Sequence, residues 1–205
     1  YYEDAILFAV VAGTLDASAR YRWPTARGMA ALSDVSVALK DVRARRSGER
    51  EDFLRIPSFA MTGGSLDPEA RELRVEWGAA SGASVKAVRT KGGGVDLGKL
   101  VKEEPAPEPE RPAGNEPGAG GGGWTARIAS FSLEKGSVRF VDEAAPRPVT
   151  LEIAPISLSA EGLATARGEK GKVRGKVVLN GKGSLAVAGT VGVSPVFAEL
   201  KLDAA

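Results

Sequence analysis

Apolar and polar residues alternate along short segments of this 205-residue chain, and this period of two constrains the fold more than any other feature. The clearest example lies in residues 124–142, where Val138 and Phe140 alternate with a serine and an arginine. Lys135-Gly136 precedes them and has the composition of a short hairpin connection. We therefore interpret residues 124–142 as a β-hairpin with one apolar face.

Similar segments recur along the chain at intervals of roughly 8 to 12 residues, as in antiparallel all-β proteins. Residues 14–21 and 32–42 alternate cleanly, and Asn180-Gly181 is the strongest hairpin signal in the chain. Only residues 95–100 are compatible with a short helical turn. The sequence predicts an all-β protein built from an antiparallel sheet.

Three local features limit how these strands are arranged. The arginine-rich residues 43–50 are predicted to form a charged, solvent-exposed connection. Ile56-Pro57 predicts an edge strand or the beginning of a strand, because proline donates no hydrogen bond to a ladder.

A basic strand face is the third feature. Lys172, Arg174 and Lys176 share one side of a predicted strand. They could contact anionic lipid headgroups, but we favour a solvated outer face on which lysine protects a strand edge.

Residues 102–123 differ in composition from the rest of the chain, with five prolines, several acidic residues and a run of glycines. Such a segment buries little apolar surface, which predicts a disordered Pro/Gly-rich insertion or flexible linker. The predicted organisation is a first β module at 1–101, this linker at 102–123 and a second β module at 124–205.

The composition also limits the chemistry. The chain has no cysteine and no histidine, which excludes thiol nucleophiles, histidine-based triads and the usual zinc sites. A net charge of +2, with basic and acidic residues intermixed, does not favour binding to nucleic acid. No acid–base motif is assembled, so we expect a protein that is not an enzyme and has no metal or cofactor.

The aliphatic strand faces are the sequence feature that says most about function. Nearly every predicted strand has one side made of valine, leucine, isoleucine and alanine, and aromatic residues are only 6% of the chain. These faces could form the closed core of a sandwich or the floor of an open groove. Periodicity alone does not distinguish the two arrangements.

The second β module resembles the AsmA-like family of bacterial envelope proteins, in particular a large subgroup long labelled a domain of unknown function. The resemblance lies in W-T-A-R-I-A-S-F-S-L-E-K-G-S-V-R-F-V-D at 124–142 and in the proline-containing connection at 145–153. It ends with the pattern G-x-L-x-x-x-G-x-V…P…L-x-L at 183–202. Residues 56–67 and 84–100 look like the preceding module of that family.

The resemblance implies an elongated antiparallel sheet, curled into a taco-like groove, that binds or conducts phospholipid between membranes. The expected partners are phospholipid acyl chains, and the expected location is the periplasm of a Gram-negative bacterium. The chain begins Tyr1-Tyr2 without an initiator methionine, so we expect a fragment whose membrane anchor lies outside it.

Eight aliphatic or aromatic residues of the second module are the candidate lining of that groove: Val138, Phe140, Leu151, Ile153, Leu185, Val187, Leu200 and Leu202. The alternative is a structural or interaction β scaffold in a multiprotein envelope complex. Such a scaffold would pair its strand edges with partner proteins.

Overall fold

The computed structural model describes residues 8–23, 29–99 and 124–205. Within these ranges the regular structure consists of ten strands and one 3₁₀ turn, Asp96–Lys99, which confirms the all-β class and the predicted turn. The strands are β1 (Phe8–Arg22), β2 (Ala31–Arg46), β3 (Asp52–Asp67), β4 (Glu72–Ser81), β5 (Ser84–Arg89), β6 (Thr125–Asp142), β7 (Val149–Ala164), β8 (Gly171–Leu179), β9 (Gly183–Val193) and β10 (Val196–Ala204).

All ten strands belong to one sheet, in the order β1-β2-β3-β4-β6-β7-β8-β9-β10. β5 continues the line of β4 between β3 and β6, so the sheet has nine strand lines. In the described ranges the two outermost strands, β1 and β10, do not contact each other, and no second layer packs on the sheet. The sheet is therefore open.

One strand interface of the sheet, which we call the seam, is parallel and not antiparallel as predicted. β6 runs parallel to both β4 and β5, whereas all other neighbours are antiparallel. A parallel pair requires a connection that returns the chain to the end of the sheet from which it started. The chain between Arg89 and Thr125 makes that connection. It contains the predicted linker, residues 102–123, which lies outside the described residues.

The hairpin predicted at 124–142 is wrong, because β6 is one continuous strand. Lys135 has a φ of 53° in the middle of this strand. A two-residue hairpin turn of the common type needs two consecutive residues with positive φ, as Asn180 (47°) and Gly181 (67°) provide between β8 and β9. A single left-handed residue instead inserts one extra residue into the strand, which is a β-bulge.

The bulge at Lys135 belongs to a row that crosses adjacent strand lines. Gly13 in β1, Asp41 in β2 and Gly82 between β4 and β5 also have positive φ, at 130°, 52° and 69°. Pro57 in β3 lies in the same row, since a Cβ on Gly82 would be 3.2 Å from its Cγ. We call these five residues the bulge row. Bulges increase the twist and bend the strands that carry them.

Two further expectations are corrected by the positions of β2 and β3. β3 lies between β2 and the β4–β5 line, so Pro57 is in an interior strand and not at an edge. It is tolerated there because the bulge row already interrupts the regular ladder. Arg43–Arg46 belong to β2, so the charged connection predicted at 43–50 is confined to its second half.

An ion cluster occupies the end of the sheet where β2 meets β3. The Asp52 side chain is only 2% exposed, and its carboxylate accepts a hydrogen bond of 2.7 Å from the guanidinium of Arg45. Arg55 and Arg43 lie 3.3 and 3.9 Å from the same carboxylate. The hydrogen bond from Arg45, together with the charges of all three arginines, holds the pKa of Asp52 below its ordinary value of 3.8.

We predict that this cluster makes stability depend on pH. Because the pKa of Asp52 is lowered on folding, its stabilisation is present above the ordinary pKa and is lost as pH falls through the lowered value. Asp52→Asn should lower the melting temperature at neutral pH, and the difference from wild type should shrink on acidification. Thermal unfolding followed by circular dichroism across that range measures both. Asp203→Asn, at an exposed position, is the control and should have no such effect. A cost of Asp52→Asn that is independent of pH would contradict this account.

We also predict that close backbone approach between β9 and β10 requires glycine at position 189. A Cβ on Gly189 would lie 2.0 Å from the carbonyl oxygen of Glu199. Gly189→Ala should therefore force the two strands apart and lower the free energy of unfolding by about 2 kcal/mol. Urea unfolding measures the loss, and hydrogen exchange should show faster exchange in β10. Gly183→Ala, whose Cβ would meet nothing closer than 3.9 Å, is the matched control. Equal effects of the two variants would contradict the prediction.

Candidate functional site

The register of the sheet places the predicted lining residues of β6 and β7 on one side. Directly opposed residues on neighbouring strands share a face. Val138 lies opposite Ile153, and Phe140 lies opposite Leu151. Ile153 in turn lies opposite Leu179 of β8, which carries the same face into the next strand.

The remaining predicted residues continue this side across β8, β9 and β10. Val177 shares its side of β8 with Leu179 and lies opposite Leu185. Val187, two residues further along β9, lies opposite Leu202, and Leu200 shares its side of β10. The register therefore brings all eight candidate residues to one face of the sheet.

The bulge at Lys135 extends this face along β6. A Cβ on Gly136 would lie 2.9 Å from Cδ2 of Leu133 and 3.3 Å from Cβ of Ile156. Gly136 lies on the same side of the strand as Val138, so Leu133 and Val138 share one face although they are five positions apart. In a regular strand without a bulge, alternation would place residues five positions apart on opposite faces.

The same face reaches the other edge of the sheet through residues outside the predicted groove lining. Phe131 lies opposite Gly78, where an added Cβ would be 3.2 Å from the phenyl ring. Met61 lies opposite Gly78, Val37 opposite Met61 and Ala17 opposite Val37. Alternation at 32–42 indicates the face on which Val37 lies. Phe131 is out of phase with Val138 in the sequence, and only the bulge at Lys135 places both on the same face.

We call this side the apolar face. Its members named so far are Ala17, Val37, Met61, Phe131, Leu133, Val138, Phe140, Leu151, Ile153, Ile156, Val177, Leu179, Leu185, Val187, Leu200 and Leu202. None of these side chains is buried. The buried apolar residues in the described ranges are Ala44, Phe53, Ala87, Ala160 and Ala164. The apolar face is thus exposed in part over its whole width, and Leu202 is 61% exposed at the β10 edge.

Side chains of the apolar face border Gly175 from both neighbouring strands. A Cβ on Gly175 would lie 3.2 Å from Cγ1 of Val187 on β9 and 3.4 Å from Cδ1 of Leu158 on β7. β7 and β9 also contact each other, although β8 lies between them. The absence of a side chain at position 175 lets the two flanking strands approach on this side.

The opposite side of the central strands is polar. Ser132 lies opposite Ser159, which lies opposite Arg174, and Ser157 lies opposite Lys176. We call this side, between β6 and β8, the polar face. Hydroxyls and cations thus occupy one surface of the same strands that present aliphatic side chains on the other.

Ion pairs account for the ionisable groups with shifted pKa values. Hydrogen bonds from Lys86 and Arg74 lower the pKa values of Glu51 and Glu72, as Arg45 does for Asp52. Among residues 8–23, 29–99 and 124–205, no group of three or more acidic side chains is placed to hold a metal ion. Nor does any described helix have the length and apolar character needed to cross a membrane.

Comparison with known proteins returned no match: no protein-family model, no curated protein and no solved structure is similar to this chain. The resemblance to the AsmA-like family therefore rests on the sequence patterns quoted above, and the lining residues are assigned by register.

Proposed function

We propose that this chain is a segment of an AsmA-like protein that binds phospholipid acyl chains on its apolar face and conducts them between membranes of a Gram-negative envelope. In this proposal the segment lies in the periplasm, and an anchor elsewhere in the parent protein holds it to a membrane. One observation carries the proposal: the apolar face runs from β1 to β10, and no described element covers it.

The size and chemistry of the apolar face suit an acyl chain. Nine strand lines, at about 4.8 Å per interval, give a width of about 38 Å. One leaflet's share of a bilayer core is about 15 Å deep, so acyl chains fit along this width. Each methylene removed from water contributes about 0.8 kcal/mol, so a surface of aliphatic side chains lowers the cost of moving lipid through an aqueous space.

Two features favour a sheet that curls toward the lipid, as the groove hypothesis requires. The bulge row crosses five adjacent strand lines at one level, and bulges bend the strands that carry them. Gly175 has no side chain to separate Val187 from Leu158, and β7 and β9 contact each other across β8. Both features would make the apolar face concave.

The alternative is an interaction scaffold that pairs with envelope proteins through its edges. In the described part of the chain, β1 and β10 each pair with a single strand, and Val196 at the start of β10 is 89% exposed. An unpaired edge is a template for an added strand from another protein. This arrangement would use backbone groups and leave the apolar face unoccupied.

We predict that charge on the apolar face abolishes lipid binding. Val138→Asp/Val187→Asp places two carboxylates where acyl chains would lie, and burial of each valine is worth about 1.5 to 3 kcal/mol. Phospholipid that co-purifies with the protein from a bacterial envelope, measured by native mass spectrometry, should fall at least about tenfold.

The matched control is Ala188→Asp, because Ala188 neighbours Val187 in β9 but lies on the other side and is exposed. It should retain bound phospholipid, and circular dichroism should show the same strand content for all variants. A folded wild-type protein without lipid that captures one defined envelope protein would favour the scaffold. Equal lipid loss in Ala188→Asp would contradict binding on the apolar face.

A further inference from the structure

A hollow of about 560 Å³ lies on the polar face, where β6, β7 and β8 run side by side. Its polar lining consists of three cations, Lys135, Arg174 and Lys176, three hydroxyls, Ser132, Ser157 and Ser159, and one carboxylate, Glu134. Leu133, Leu158 and Gly175, which form a row between two polar rows, also border the hollow, as does Pro155. The serine, arginine and Lys176 side chains of the hollow belong to the polar face, whereas the eight candidate lining residues belong to the apolar face and none of them borders the hollow.

The register explains how these groups come together. Ser132, Ser159 and Arg174 form one row across the three strands, and Ser157 and Lys176 form part of the next row. Lys135 is contributed by the bulge row, whose extra residue places it beside the hollow. Sequence alternation places each residue on its strand face, but only the pairing of three strands assembles the set.

The three cations of the hollow form no ion pair with another described residue. Cross-strand neighbours of Arg174 are Ser159 and Ala188, both uncharged, whereas Arg89 lies opposite Asp142 and is ion-paired to it at 3.2 Å. No carboxylate of the described residues lies within 4.0 Å of the three cations of the hollow.

The balance of charge in the hollow is positive. Glu134 is the one acidic residue of its lining, so three cations face one carboxylate. Edge protection does not account for this charge, because β8 is an interior strand between β7 and β9. The positions opposite Lys176 are also uncharged, Ser157 and Ala186. The structure thus concentrates unpaired positive charge and hydroxyl donors at one place.

From this arrangement we infer that the hollow binds a phosphate group. A phosphate oxyanion accepts hydrogen bonds from a guanidinium, from ammonium groups and from hydroxyls, and Arg174 offers the planar donor pair that fits it best. The ligand is a phosphate ester, either the headgroup of an anionic phospholipid at a membrane surface or a small soluble phosphate. This inference does not depend on the proposed function, since a lipid lying on the apolar face cannot reach through the sheet.

The test compares Arg174→Gln/Lys176→Gln with wild type and with Lys182→Gln/Lys201→Gln. Both double variants lose two positive charges from exposed positions, but Lys182 and Lys201 lie outside the hollow. The first probe is co-sedimentation with vesicles of phosphatidylcholine containing phosphatidylglycerol, beside vesicles of phosphatidylcholine alone. The second probe is inorganic phosphate, titrated while amide resonances of β7 and β8 are followed by NMR.

Removal of the two cations in the hollow should weaken binding to the anionic vesicles about fivefold for each cation, and the control variant should bind like wild type. That result supports the site with a lipid headgroup as its ligand. Shifts of the Ser157 and Ser159 amides with inorganic phosphate, lost in Arg174→Gln/Lys176→Gln and without vesicle binding, support the site with a soluble ligand.

Two results would overturn the inference. One is an equal loss of vesicle binding in both double variants, which would show that net charge alone attracts the protein. The other is a wild-type protein that responds to neither probe. Val138→Asp/Val187→Asp should retain the headgroup or phosphate response, so failure of this site and failure of acyl-chain binding are distinguished.

Discussion

The seam between the β4–β5 line and β6 holds the two halves of this protein in one sheet. Its backbone hydrogen bonds continue where β4 gives way to β5: the N–H of Gly82 donates to Glu134 and the N–H of Ser137 donates to Ala83, both at 2.8 Å. No described second layer buries side chains against the sheet, so backbone ladders and cross-strand contacts hold it together. The parallel seam is what makes one continuous apolar face possible.

The bulge row decides which side chains share that face. A regular strand would place Leu133 and Val138 on opposite faces, since their positions differ by five, an odd number. Left-handed residues at one level of neighbouring strands change the phase of alternation together, so register is kept and the apolar side stays apolar beyond the bulge. Asp41 and Lys135 adopt the left-handed conformation although it is unfavourable for residues that carry a Cβ atom.

The two sides of the sheet offer different chemistry to different partners. The apolar face presents aliphatic side chains that water solvates poorly, which suits the acyl chains of the proposed function. The polar face presents serine hydroxyls and unpaired cations between β6 and β8, which suit an oxyanion. Both surfaces arise from the same strands, because alternation sends successive residues to opposite sides.

Sequence alone determined the all-β class, the hairpin at Asn180-Gly181 and the common face of Val138 and Phe140, because each depends on neighbouring residues. Tertiary structure decided what depends on residues far apart: the parallel seam, the interior position of Pro57 and the membership of Phe131 in the apolar face. Lys135-Gly136 shows most clearly what local sequence does not determine. The dipeptide is compatible with a turn or a bulge, and the ladders on both sides of β6 select the bulge by keeping the strand extended through it.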